Sequence, residues 1–343
     1  MTGLRLAIPS DGALYEGTTG FLRDCGLRVD RPNARRYTGT IPSVPGVELL
    51  FQRQSDITTE IDGESADLGI VGLDRFLESR LEGGDTRLIY RDIGFGNASL
   101  VVAVPNSWLD VTTVDDLADL ALDFRERGRQ LRIATKYPRL VGRFFSRRGI
   151  NYFTIVQVNG ALEAAPIMGY ADLIADITAS GATLRENQLR PLIDGVIVES
   201  QAAIIGNIRL LAMDDRKVDI LRDVLERVEG SLRSHKYSRV AANIRGESAE
   251  DVALKVRSKP EVAGIEGPTI SPVFSNDGSN WFEVEVIVPK AGLDTAVEHF
   301  RSLGGGAVTV GAADYVFRER CEAFEAVESL VADYRAGQPG AVL

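Results

Sequence analysis

ADLIADITASGATL, residues 171–184, sets apolar positions around Asp172 and Asp176 and then runs straight into threonine, serine and glycine. The first half reads as a buried strand and the second as a turn that starts a helix. That succession makes a natural anion site, because backbone N–H groups converge at the turn and a helix N-terminus adds partial positive charge. Thr178, Ser180 and Thr183 add hydroxyl donors, and Gly181 supplies the flexible point. A plain turn with a helix cap would use the same residue types. The carboxylates narrow the choice: an acid just ahead of a phosphate loop repels phosphate and calls for sugar hydroxyls or a magnesium-bound pyrophosphate.

Working outward, β-branched runs alternate with helical patterns on both sides, which is α/β architecture. LRLAIP (4–9), VELLFQ (47–52), ASLVVAVP (98–105), LRIATKYP (131–138) and NYFTIVQVNG (151–160) read as strands. Helical patterns cover 15–26, 114–128 and 139–149. SADLGIVG (65–72) echoes YADLIADI (170–177), as expected of two similar lobes around a cleft. Residues 1–96 and 195–230 are assigned to lobe I and 97–194 to lobe II. DRKVDILRDVLERVEGSLRS (215–234) is a long amphipathic helix that connects to a third module, 231–343. There the order βαββαβ, with Ser248 capping a helix and WFEVEVIVP (281–289) alternating, is that of a ferredoxin-like, ACT-like domain. A further amphipathic helix is expected over 314–334.

The bulk numbers exclude several classes. Acidic residues outnumber basic ones 49 to 39, a net charge of −10, which argues against a nucleic-acid or anionic-membrane surface. No apolar run approaches the ~20 residues of a membrane span. The N-terminus lacks the pattern of a secretory signal, and Cys25 and Cys321 form no disulfide framework, so a cytoplasmic protein is expected. Two histidines argue against histidine catalysis or a zinc site. Among common ligands, phosphoribosyl pyrophosphate offers a phosphate, a ribose and a metal-binding pyrophosphate together.

ADLIADITASGATL resembles the motif of the ATP phosphoribosyltransferases, which open histidine biosynthesis. VNGALEAAP (158–166), RIATKYPRL (132–140), ADLGIVGLD (66–74) and LLFQRQSDIT (49–58) are similar to further family segments in the same order. GIEGPTISPV (264–273) resembles part of the long form's regulatory domain. The resemblance implies a two-lobed core like that of type II periplasmic binding proteins. It implies attack of N1 of the ATP adenine on phosphoribosyl pyrophosphate with release of pyrophosphate, Mg²⁺, a homo-hexamer or dimer, and feedback inhibition by histidine.

Carried onto this chain, the resemblance puts Thr178, Ala179, Ser180, Gly181, Ala182 and Thr183 on the 5′-phosphate. Asp176 lies at the ribose hydroxyls, Glu163 near the ribose or the metal-bound pyrophosphate, and Arg35, Arg36 and Arg53 at the pyrophosphate; Asp176, Glu163 and Arg53 are the catalytic residues the resemblance implies. Gly12, Asp67, Gly72, Lys136 and Tyr137 belong to the ATP side. Asn243 and Thr269 are the choices for effector contacts. Catalysis would rest on alignment and charge, since adenine N1 needs no deprotonation before attack. One departure stands out: SDGAL (10–14) replaces a Lys-Gly-Arg-Leu-like loop, with Ser10 or Asp11 at the lysine and Ala13 at the arginine. Asp11 binding metal or the adenine amine, or a different arginine filling that space, would give a variant with rearranged substrate contacts; without either, activity is impaired. A non-catalytic protein that senses a nucleotide or amino acid in the same cleft is the alternative.

Overall fold

The computed structural model describes residues 3–158, 161–275 and 278–337. Asn159 and Gly160, the start of the glycine-x-x-glutamate segment, lie outside the described residues. In chain order the strands of the core are β1 (Leu4–Pro9), β2 (Thr38–Thr40), β3 (Val47–Gln52), β4 (Leu68–Gly72), β5 (Thr86–Tyr90), β6 (Ala98–Pro105), β7 (Leu131–Thr135), β8 (Phe153–Val156), β9 (Leu173–Thr178), β10 (Leu189–Ser200) and β11 (Ala202–Asn207). They form a six-stranded sheet, β2-β3-β1-β4-β11-β5, and a five-stranded sheet, β10-β6-β9-β7-β8. In each, three adjacent strands run parallel (β3-β1-β4 and β8-β7-β9) and the next strand is antiparallel (β11 and β6). The two lobes are therefore one topology used twice, and the chain crosses between them at β5–β6 and again at β10–β11.

The Ala-Asp-Leu echo has a structural counterpart. Asp67, just before β4, accepts the backbone N–H of Arg5 on β1 at 2.8 Å, and its N–H donates to the Arg5 carbonyl at 3.0 Å. Asp172, just before β9, accepts the N–H of Arg132 on β7 at 2.8 Å and donates back at 2.8 Å. Each arginine then folds over its own aspartate, with Nη2 at 3.1 Å from Asp67 and 3.0 Å from Asp172. These staples hold the N-terminal ends of the central parallel strands, the end opposite to the one where ligands meet such sheets. Lobe I packs Ile57, Ile61, Val71, Phe76 and Ile205 beneath its sheet; lobe II packs Leu100, Leu117, Ile133, Val141 and Phe145.

The lobe boundary differs from the expected one. Residues 195–200 stay in the second sheet, with Val196 opposite Val101 and Ser200 opposite Ala98, so lobe II extends to Ser200. The apparent break at Gly195 is an irregularity in register between Pro191 and Val196, inside one strand.

The third sheet is made of β12 (Tyr237–Arg245), β13 (Thr269–Val273), β14 (Trp281–Pro289) and β15 (Val308–Gly311), in the order β13-β14-β12-β15, antiparallel throughout. The helices Ala249–Arg257 and Leu293–Ser302 give it the βαββαβ order. Its core is Val240, Ile244, Val252, Val256, Val284, Val286 and Phe300. Ser248 caps the first helix by accepting the Asp251 N–H at 3.2 Å. By contact density, this module is one unit, Asp24–Gly26 with Arg222–Glu325; the other is Met1–Arg23, Leu27–Leu221 and Ala326–Leu343. The last helix is Glu322–Arg335, shorter than expected. Residues 314–321 are kept out of it because the Val316 N–H donates to the Gly230 carbonyl at 3.0 Å and Phe317 packs where a side chain at position 230 would stand. Buried Glu229 accepts the Ala323 N–H at 2.8 Å and so caps that helix from outside.

Candidate active site

The chemistry-bearing segments gather at the C-terminal ends of the parallel strands: residues 10–12 after β1, Arg53 after β3, Gly72 at the end of β4, Lys136 after β7, and 176–183 at the end of β9. This is the edge where open α/β sheets present ligands. At the end of β9 the chain turns sharply. Gly181 lies at φ +70°, and a Cβ there would meet the Arg185 guanidinium at 3.0 Å. Thr178 Oγ1 accepts the Gly181 N–H at 2.9 Å, fixing the turn from inside, while Arg185 Nη1 donates to the Ser180 carbonyl at 3.0 Å. Ala179, Ser180, Ala182 and Thr183 are exposed at its tip. The helix that follows, Ala182–Glu186, has only five residues, so its dipole adds little and the turn's own amides and hydroxyls make the cradle.

Behind the turn stands Asp176. Burial pushes its carboxyl above the usual carboxylate range; the Ile177 N–H and the Lys136 charge oppose this, and the Glu163 charge adds to it. The Ile177 N–H donates to Asp176 Oδ1 at 2.8 Å. Asp176, Glu163 and Lys136 thus feel one another electrostatically at one end of lobe II, with Glu163 on the 3₁₀ turn Leu162–Ala164. In lobe I, Gly12 takes φ +76° where β1 turns into the helix Gly12–Asp24, and Gly72 caps the helix Leu73–Ser79. A Cβ at Gly72 would meet Asp74 Oδ1 at 2.5 Å. Arg35, Arg36 and Arg53 are exposed.

Two expected ATP contacts are placed elsewhere. Asp67 is fully buried at the far end of β4, where Lys217 Nζ lies 2.7 Å from Oδ1 and Arg5 closes the other side, so its carboxylate is taken by protein cations. Tyr137 is 2% exposed. Its hydroxyl donates to Asp74 Oδ2 at 2.6 Å, and the Arg75 guanidinium covers its ring at 4.2 Å. Burial and the Asp74 charge push that hydroxyl well above its usual range, so it remains a donor. Its hydroxyl and one ring face are thus taken by protein.

The sequence reading passed over Asp74, Arg75, Ser200 and Arg31. Arg31 sits 3.9 Å above the Phe51 ring and donates to the carbonyls of Ser10 (3.3 Å), Ala34 (2.7 Å) and Arg36 (2.9 Å). It brings a cation to the SDGAL loop where the family pattern leads one to expect lysine or arginine. Ala34 and Arg36 are its neighbours in the loop, but Ser10 and Phe51, which bring it to the SDGAL stretch, lie 21 and 20 positions away and are not marked by the local sequence. In the third module Thr269 lines a cavity of about 660 Å³ with Tyr237, Ile265, Glu266, Glu285 and Phe317. Asn243 is exposed on the same sheet opposite Glu283 and lies outside that cavity's lining.

Comparison with known proteins agrees with this arrangement. Residues 53–230 match the family ATP phosphoribosyltransferase, and residues 234–312 match the family described as HisG, C-terminal domain. The chain is 37% identical over 322 residues to "ATP phosphoribosyltransferase 2, chloroplastic" of Arabidopsis thaliana, covering 92% of this chain and 78% of that protein. It is 35% identical over 329 residues to the ATP phosphoribosyltransferase of Nitrobacter winogradskyi, covering 95% and 98%. It is 42% identical over 232 residues to the Mesorhizobium japonicum enzyme of the same name, covering 67% and 99%. The chain belongs to the ATP phosphoribosyltransferase family in its long form, the pentosyltransferases that join phosphoribosyl pyrophosphate to N1 of the ATP adenine in histidine biosynthesis.

Proposed function

We propose that the turn 178–183 holds the 5′-phosphate of phosphoribosyl pyrophosphate and that Asp176 and Glu163 face its ribose. The observation that carries this reading is the pairing of an exposed amide-and-hydroxyl turn with a half-buried carboxylate directly behind it at a strand's C-terminal end. Phosphate fits the turn, and the vicinal hydroxyls give the acids a donor partner. Arg53 and Arg35 stand on the lobe I side to receive the pyrophosphate, with Arg31 supplying charge beside Ser10. Gly12, Gly72 and Lys136 line the ATP side.

Among the described residues no group of three or more His, Cys, Asp or Glu side chains could hold a metal by itself. That fits Mg²⁺ arriving on the pyrophosphate, since this ion is usually held by substrate phosphates with one or two carboxylates, here Glu163. When bound it neutralises the leaving group. The chain's own residues do the rest. The turn fixes the donor, Lys136 and the lobe I edge orient adenine, and the two carboxylates sit beside the anomeric carbon, where positive charge develops. Histidine inhibits through the third module, at the cavity that Thr269 lines. The enzyme acts in the cytoplasm as a hexamer in exchange with dimers. Among the described residues no helix is long and apolar enough to cross a membrane.

The test is an assay of phosphoribosyl-ATP formation from ATP and phosphoribosyl pyrophosphate. Chelation should abolish turnover and added Mg²⁺ restore it; turnover that persists in excess chelator removes the metal from the scheme.

A further inference from the structure

Asp74, Tyr137 and Ser200 belong to three different parts of the core. Asp74 is on the lobe I helix after β4, Tyr137 follows β7 in lobe II, and Ser200 ends β10, just before the chain crosses back into lobe I. All three are nearly inaccessible, at 5%, 2% and 3% exposure. Tyr137 Oη donates to Asp74 Oδ2 at 2.6 Å, Ser200 Oγ donates to Asp74 Oδ1 at 2.6 Å, and the Asp74 N–H donates to Ser200 Oγ at 3.1 Å. A buried carboxylate is thus shared between both lobes and the crossover strand. Beside it, Arg75 covers the Tyr137 ring and donates to the Lys136 carbonyl at 3.4 Å. Glu78 of the same helix accepts the N–H groups of Arg139 and Leu140, both at 2.9 Å, at the start of the lobe II helix Pro138–Arg147.

The repeated topology sharpens the point. β4 corresponds to β9, so the turn that carries Asp74 is the lobe I counterpart of the turn 178–183. In lobe II that turn offers amides and hydroxyls outward. In lobe I it carries its own carboxylate, which draws in two hydroxyls from other segments. A buried charge tolerates little displacement of its donors, because each lost hydrogen bond leaves it uncompensated.

We propose that Asp74, Tyr137 and Ser200 are a positioning clasp that fixes the angle between the lobes and the place of Lys136, the neighbour of Tyr137 in sequence. They touch no substrate and act through Lys136 and the lobe I edge; the catalytic consequence rests on the assignment of Asp176 and the turn to the donor substrate. Removing the Tyr137 hydroxyl leaves the ring under Arg75 and the Glu78 bonds in place but loosens the tie at Asp74, a change that misaligns N1 and the anomeric carbon without removing a binding group.

The experiment is steady-state kinetics on Tyr137→Phe, Ser200→Ala and the double variant, with Asp176→Asn as the separate check on the site. Each single variant should lower kcat about 10- to 100-fold with KM for both substrates within about twofold. The double variant should be hardly worse than the poorer single one, because both act on one carboxylate. Should Tyr137→Phe fail to fold, Ser200→Ala carries the same split. Unchanged kcat with only a lowered Tm would overturn the clasp and leave a structural hydrogen bond. A raised KM for ATP at constant kcat would overturn it in favour of a nucleotide contact. If Asp176→Asn alone is without effect, the site assignment fails instead.

Discussion

At the scale of the residue, two aspartates with the same side chain do two different things, and burial with partners decides which. Asp176 is half-buried, and desolvation outweighs the Ile177 N–H and the charges of Lys136 and Arg75, so its charged form is disfavoured and its affinity for protons raised. For a carboxyl whose folded pKa is raised, ionisation costs stability as pH rises above the unfolded value near ~3.9. Asp176→Asn should therefore raise Tm at pH 7, with the gain disappearing towards pH 3, while kcat falls about 10²- to 10³-fold. Unfolding curves and turnover measured on one preparation check both halves. Asp67, by contrast, neutralises Arg5 and buried Lys217. Asp67→Asn should destabilise the fold by about 3–5 kcal/mol, as when one partner of a buried pair is removed, and leave the KM for ATP unchanged. Denaturant titration with kinetics on the folded fraction decides it.

At the scale of the element, the staple of Asp172 to Arg132 and Arg129 holds β9 in place so that its far end can present the turn. Burial pushes the Asp172 carboxyl up, but hydrogen bonds from Arg132, through its side chain and backbone, and from Arg129 outweigh this and hold it below the usual range. A depressed folded pKa contributes stability that is present above about pH 4 and lost as pH falls through the folded value. The Tm gap between the natural protein and Asp172→Asn should be full at pH 7 and close on acidification. Gly181, at φ +70°, should not tolerate a Cβ: Gly181→Ala should cost about 1–2 kcal/mol and raise KM for phosphoribosyl pyrophosphate. Local pattern made much of this legible. The strand and turn of 171–184, the helix Asp215–Ser234 and the Ser248 cap follow from neighbours in sequence. What escaped depends on distant partners. Asp67 and Asp172 sit in the same Ala-Asp-Leu context, and nothing near Asp67 in sequence marks its partners Arg5 and Lys217, 62 and 150 positions away. The Tyr137 hydroxyl bond is equally hidden, its partner Asp74 being 63 positions distant.

At the scale of the whole molecule, one α/β topology appears twice in the core, and the two copies diverge at the turn that follows the central strand: one keeps an internal acid, the other an open cradle. The third sheet carries a cavity of its own. If histidine acts there, Thr269→Ala should raise the concentration needed for half-inhibition about tenfold, the equivalent of ~1.4 kcal/mol, with kcat intact. Inhibition curves at fixed substrate measure it. The account as a whole depends on where the donor's phosphate sits, and a crystal structure with phosphoribosyl pyrophosphate bound tests that most directly. The prediction is density for the 5′-phosphate against the amides and hydroxyls of 178–183, with the ribose hydroxyls on Asp176. Phosphate density at the end of β4, or anywhere away from that turn, would contradict it.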